Sequence, residues 1–191
     1  MAKNIILIGP SGSGKTTLAA KLAETGVFAH IDTDQVLEAG TGMSPAQIFA
    51  NQGEEAFRTL ETALITAMIN PQNSASNSDT AGDTERPFVM ATGGGLPCTP
   101  GNFEILQNLG ITIYLQADAQ TLAKRVVESK AERPMLASKD EEEKTDLSKR
   151  IQDLLDKRES TYKRASHTVN TAGISVSEAV DKIYEIVESG K

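Results

Sequence analysis

The chain has 191 residues, 39% of them apolar and 15 of them glycine, a composition near the average for one globular domain that buries roughly 70% of its unfolded surface, which excludes disorder throughout. Twenty-six acidic against nineteen basic residues leave a net charge of −7, the wrong sign for a domain that grips a nucleic-acid backbone or an anionic bilayer. The longest aliphatic run, Ile5-Ile6-Leu7-Ile8, is far short of a membrane helix, and one cysteine with two histidines allows neither an internal disulfide nor a multi-thiolate zinc site, so a soluble, cytoplasmic chain is expected.

Short β-branched runs alternate with longer helical patterns, the signature of βα units around a parallel sheet. Strands are expected at 4–8, 28–32, 88–92, 112–115 and 168–171. After the first strand, a glycine-rich turn opens a helix marked by Leu18, Leu22 and Ala23. Ser44-Pro45-Ala46-Gln47 combines an N-cap, a first-turn proline and a glutamine three residues on, so a helix starts there. Phe57, Leu60, Leu64 and Met68 continue helical spacing. The stretch at about 70–87 is polar, with two alanines between residues 70 and 86, and is expected to be a mobile surface loop. A charged stretch at 138–144 reads as a solvated turn. Leu147, Ile151 and Leu154 then form a helical stripe that Arg158 extends, and a closing helix is expected at 175–187. With no repeats and no second core, residues 1–191 read as a single domain.

Gly9-Pro10-Ser11-Gly12-Ser13-Gly14-Lys15-Thr16 matches G-x-x-x-x-G-K-[ST] between a predicted strand and a predicted helix, the context that a phosphate-binding loop requires. Its glycines let backbone N–H groups converge on phosphate oxygens, Lys15 neutralises the β- and γ-phosphates, and the Thr16 hydroxyl ligates Mg²⁺. A nucleoside triphosphate with magnesium is the expected first ligand. Asp32-Thr33-Asp34 lies at the carboxyl end of the second strand, where open α/β sheets bind ligands, and the spacing of two sends both carboxylates to one side. Asp32 could hold magnesium through water, and Asp34 could accept a hydrogen bond from, or deprotonate, an acceptor hydroxyl; both could equally cap a turn.

Arg58 and Glu61 stand three apart on a helix, so Glu61 can steer the guanidinium, against the alternative of an exposed pair worth only ~0.3–0.5 kcal/mol. Arg158 occupies a position where periodicity predicts an inward or cleft-facing side chain, so it asks for an anionic partner unless it snorkels to solvent. Arg133 precedes Pro134 in a polar stretch between helices; position alone reads it as a surface residue, while a mobile arginine on a lid there would suit stabilisation of a transferring phosphoryl group. Gly93-Gly94-Gly95 follows the third strand and allows close backbone approach to a ligand, or is a bare turn. Cys98 reads as a buried or half-buried small hydrophobe.

Taken together, these residues resemble the shikimate kinases. The resemblance rests on Gly14-Lys15-Thr16-Thr17, Asp32-Thr33-Asp34, Thr41-Gly42-Met43-Ser44, Ile48-Phe49, Gly53-Glu54, Phe57-Arg58 and Glu61, then Gly93-Gly94-Gly95, Arg133-Pro134-Met135-Leu136, Lys157-Arg158 and Tyr162, in order. It implies a three-layer α/β P-loop kinase fold, a five-stranded parallel sheet flanked by helices with a mobile lid at about 129–147. It further implies transfer of the γ-phosphoryl of ATP to the 3-hydroxyl of shikimate in aromatic amino acid biosynthesis. Lys15, Asp34 and Arg133 would be catalytic. Gly12, Ser13, Gly14, Lys15, Thr16, Thr17, Arg125 and Arg133 would bind ATP, with Arg125 near adenine. Asp34, Arg58, Gly93, Gly94, Gly95 and Arg158 would bind shikimate, and Thr16 and Asp32 would hold Mg²⁺. A monomer is expected. A gluconate-type sugar-acid kinase and a non-catalytic ATP-binding switch are the alternatives.

Overall fold

The computed structural model describes residues 3–69, 86–129 and 142–189, with side chains in the last segment from residue 147. The chain runs β1 (Ile5–Ile8), α1 (Lys15–Ala23), β2 (Ala29–Asp32), α2 (Thr33–Thr41), α3 (Pro45–Ile69), β3 (Phe88–Ala91), a 3-10 turn (Leu96–Cys98), α4 (Asn102–Leu109), β4 (Ile111–Gln116), α5 (Ala119–Glu128), α6 (Glu142–Tyr162), β5 (His167–Asn170) and α7 (Val176–Ser189). The five strands pair in the order β2-β3-β1-β4-β5, all parallel. Each lies within a residue or two of its expected position.

A parallel strand covered on both faces is apolar throughout, and all four residues of β1 are fully buried. Ile5 and Leu7 face one way, into a core with Leu18 and Leu22 of α1 and Ile183 of α7. Ile6 and Ile8 face the other, into a core with Ile65 of α3, Leu106 of α4, Tyr114 and Tyr162. The helices thus form two outer layers. Because β1 is the central strand, the loop at its carboxyl end leaves the middle of the sheet, flanked by the segments that leave β3 and β4. That geometry puts the phosphate loop beside the three consecutive glycines.

The helix expected at Ser44 forms with reciprocal capping: Ser44 N–H donates to Gln47 Oε1 at 2.8 Å, and Gln47 N–H donates to Ser44 Oγ at 3.3 Å. It is kinked at Gly53, whose φ of 84° and ψ of 172° interrupt the helical dihedrals. The stripe on α6 differs by one position from expectation. Leu147, Ile151 and Leu155 are buried against Leu122 and Ala123 of α5, with Leu154 only half-buried beside them.

Residues 70–85 of the expected polar loop, and 130–141 of the expected lid with Arg133, lie outside the described residues. The end of the expected loop is anchored. Arg86 donates to the carbonyls of Gly26, Val27 and Phe28, and the Pro87 carbonyl accepts from Ala29 N–H at 2.9 Å. Residues 142–147, assigned to the lid from sequence, are the first turns of α6.

Candidate active site

The phosphate loop joins β1 to α1 with left-handed glycines at two tight approaches. A Cβ on Gly9 (φ 140°) would sit 2.8 Å from the Leu115 carbonyl oxygen, and one on Gly12 (φ 84°) 2.9 Å from that of Leu122, so side chains there meet both strain and backbone. Lys15, at the first turn of α1, is buried, and its Nζ donates to the carbonyls of Gly9 (2.9 Å) and Pro10 (2.8 Å), which keeps the ammonium over the mouth of the loop. Arg125 donates to Thr171 Oγ1 at 3.0 Å and to the Thr171 carbonyl at 2.6 Å, tying α5 to the segment after β5.

Asp32 ends β2, and Asp34 lies in the first turn of α2. The expected strand spacing therefore does not apply between them, because the helix begins at Thr33. Asp32 Oδ1 caps that helix, accepting from the N–H groups of Asp34 (3.0 Å) and Gln35 (3.3 Å). Its Oδ2 accepts from the Thr16 hydroxyl at 2.7 Å. The first helical turn, not strand alternation, directs Asp34. Gly12, Ser13, Gly14, Lys15, Thr16, Thr17, Asp32, Asp34, Gly94 and Arg125 all line one cleft of about 800 Å³, within the range of small-ligand sites.

Arg58 is not an exposed pair member. Its Nη1 lies 2.6 Å from Glu61 Oε2, its Nη2 3.0 Å from Glu54 Oε1, and the guanidinium carbon lies 5.7 Å and 5.4 Å from the ring centres of Phe49 and Phe57. Glu61 is fully buried, and among the described residues its Oε1 has no hydrogen-bond partner. Burial pushes the Glu61 carboxyl up to about 7, against the pull of Arg58; Asp34 pushes it further and Arg158 opposes. Burial works against the Arg58 charge, but Glu61 and Glu54 outweigh it and hold its pKa above the ordinary value. Asp34, Arg58 and Arg158 thus all act on one buried carboxylate.

The three glycines thread through this cluster. Gly93 N–H donates to the buried Thr33 hydroxyl at 2.9 Å. A Cβ on Gly93 would meet Glu61 Oε1 at 2.5 Å and Asp34 Oδ1 at 3.1 Å, one on Gly94 would touch the Gly9 carbonyl oxygen and Ser11 N at 3.5 Å, and one on Gly95 would overlap the Arg58 guanidinium. None of the three has a left-handed φ; a side chain is excluded by close approach at Gly93, would push the Arg58 guanidinium aside at Gly95, and would make only ordinary contact at Gly94. Tyr162, fully buried, donates to the Gly94 carbonyl at 2.6 Å. Cys98 is half-buried as expected, and burial raises its thiol pKa despite the nearby Arg158.

Sequence reasoning paired Glu61 with Arg58 but gave no sign of its complete burial, and it assigned no role to the hydroxyls of Thr33 or Tyr162. Among the described residues no group of three or more His, Cys, Asp or Glu side chains could cage a metal. The Thr16 hydroxyl and Asp32 carboxylate nevertheless form a hard-oxygen pair at the mouth of the phosphate loop, the donor set that suits Mg²⁺ completed by phosphates and water.

A protein-family model described as shikimate kinase matches residues 11–188. The shikimate kinase of Caldanaerobacter subterraneus subsp. tengcongensis is 36% identical, the alignment covering 95% of this chain and 94% of that protein. That of Pelotomaculum thermopropionicum is 35% identical over 97% of this chain and 96% of its own. Among solved structures, shikimate kinase from Acinetobacter baumannii in complex with shikimate superposes with a TM-score of 0.82 at 30% identity, covering 100% of this chain and 96% of the other. Shikimate kinase from Bacteroides thetaiotaomicron gives 0.81 at 26% identity, covering 98% and 99%. The P-loop kinase fold expected from sequence is the fold observed.

Proposed function

The chain belongs to the shikimate kinase family, and from that premise we propose that it transfers the γ-phosphoryl group of ATP to the 3-hydroxyl of shikimate, giving shikimate 3-phosphate and ADP in aromatic amino acid biosynthesis. The observation that carries this reading is the position of Asp34. It lines the phosphate-loop cleft and also acts electrostatically on the buried Glu61 carboxylate that pairs with Arg58 and feels the charge of Arg158. An acceptor between these groups must present a hydroxyl to the acid and a negative charge to the guanidiniums, and a trihydroxy carboxylate does both.

In this mechanism Arg58 and Arg158 take the acceptor carboxylate. Glu61 holds Arg58 in place from its sealed side, and the Gly93–Gly95 backbone forms the floor against the ring. Asp34 accepts the hydrogen bond of the attacking hydroxyl and takes its proton as the bond to phosphorus forms. Lys15 exchanges the carbonyls of Gly9 and Pro10 for β- and γ-phosphate oxygens, and with the loop amides counters the charge that spreads over the transferring group. Arg125 contacts the adenine end, and Arg133 joins the phosphates from the segment outside the described residues. Thr16 and Asp32 would hold Mg²⁺, which supplies further neutralisation of the phosphate oxygens when bound.

We take ATP and shikimate as its ligands and a monomer as its working form. No helix among the described residues is long and apolar enough to cross a membrane, and we place the enzyme in the cytoplasm with its metabolic substrates. A coupled ADP-release assay with ATP, Mg²⁺ and either shikimate or gluconate tests the assignment. Turnover with shikimate alone is expected, whereas turnover with gluconate alone would identify a sugar-acid kinase. ATP binding by calorimetry with no turnover on any hydroxy acid would identify a nucleotide switch.

A further inference from the structure

Tyr162 is the last residue of α6, one turn beyond Arg158 and therefore on the same helix face. Its ring is fully buried, stacked 5.3 Å from Tyr114 in the core that also contains Ile8 and Phe103. Packing alone would be served by phenylalanine, because a buried hydroxyl stabilises nothing unless it is hydrogen-bonded. This hydroxyl donates to the Gly94 carbonyl at 2.6 Å. Burial raises the phenol pKa and the Cys98 thiol adds to the rise, while Arg158, one turn back, opposes it. Gly94 in turn lies against Gly9 and Ser11 of the phosphate loop.

Leu147, Ile151 and Leu155 of α6 pack along α5. Among the described residues, hydrogen bonds meet its C-terminal end: Gln116 of β4 donates to Glu159 at 3.4 Å, and Tyr162 donates to Gly94. Its C-terminal turn is where it is registered on the central glycine of the acceptor floor.

We propose that Tyr162 is a positioning residue for the acceptor: its hydroxyl registers the end of α6 on the Gly94 carbonyl and thereby fixes Arg158 beside the acceptor pocket. This deepens the reading of Arg158 as a carboxylate ligand and rests on it. Tyr162→Phe removes the hydroxyl and keeps the ring in its stack.

In that variant KM for shikimate rises about tenfold, the effect of losing one well-placed hydrogen bond, while kcat and KM for ATP stay within about twofold. In an Arg158→Ala background the same substitution changes KM for shikimate by less than about twofold, since the group it positions is gone. Without any ligand, amide hydrogen exchange at residues 159–162 is faster in Tyr162→Phe than in wild type. An unchanged KM in the single variant, or the full tenfold effect retained without Arg158, overturns the proposal, as does unchanged exchange. If wild-type protein does not phosphorylate shikimate, the functional assignment falls, and the exchange measurement still decides whether Tyr162 anchors α6.

Discussion

Glu61 and Arg58 form an ion pair with one end sealed from water. The 2.6 Å contact joins an arginine whose side chain is 17% exposed to a glutamate that is 0% exposed, so the arginine alone can turn its remaining donors toward a ligand. The acid is spent on orientation, and its burial carries a cost that pH reveals.

Glu61 has a raised pKa in the folded state, about 7 against an ordinary 4.5. A group with a raised folded pKa takes up protons on folding, so its contribution to stability is complete below about 4.5 and is lost as pH rises through about 7. Glu61→Gln removes this titration. Urea unfolding at pH 4.5, 6 and 8 is expected to show that the fall in stability across this window is shallower in the variant than in wild type. An identical slope would mean that Glu61 is ionised throughout.

Arg158→Ala removes a carboxylate contact and not a phosphate contact. KM for shikimate is expected to rise by about 10- to 100-fold, the loss of a hydrogen bond between charged groups, with ATP affinity by calorimetry unchanged. Equal weakening of both ligands would put Arg158 on the nucleotide side.

Lys15→Ala acts on the transition state. Its Nζ is held at the loop by the Gly9 and Pro10 carbonyls, and its loss is expected to lower kcat by about 10²- to 10³-fold, as for removal of one preorganised donor. A steady-state rate close to wild type would move the chemistry to another site.

Asp32 has two separable tasks, one on each oxygen. Asparagine caps a helix as well as aspartate, so Asp32→Asn should keep the melting temperature while raising the magnesium concentration needed for half-maximal turnover. Asp32→Ala should lose both, with a capping cost of about 1 kcal/mol. A magnesium requirement unchanged in Asp32→Asn would remove Asp32 from the metal site.

Gly95 has φ −90° and ψ −19°, a conformation open to any residue. Gly95→Ala is therefore expected to fold with a stability change within about 1 kcal/mol, while its methyl displaces the Arg58 guanidinium and raises KM for shikimate about tenfold. A large loss of stability with unchanged KM would show that the glycine serves the turn and not the arginine.

Local rules were enough for the phosphate loop, the cap at Ser44 and the apolar run of β1, because dihedral preference, capping and periodicity act within a few residues of chain. They also singled out Asp34, which could equally have capped a turn, and Arg58 and Arg158, where a solvated side chain was the alternative. What those rules could not supply was the hub that joins them. Thr33 meets Gly93 across 60 positions and Tyr162 meets Gly94 across 68, contacts that exist only because the parallel order β2-β3-β1-β4-β5 brings the ends of distant strands to one edge. The burial of Glu61 comes from the same packing, whereas Asp34 is turned toward the cleft locally, by the helix that starts at Thr33. A residue's type and spacing declare what chemistry it can perform, but its desolvation and its neighbours depend on chain segments far away in sequence, and these are set when the sheet closes.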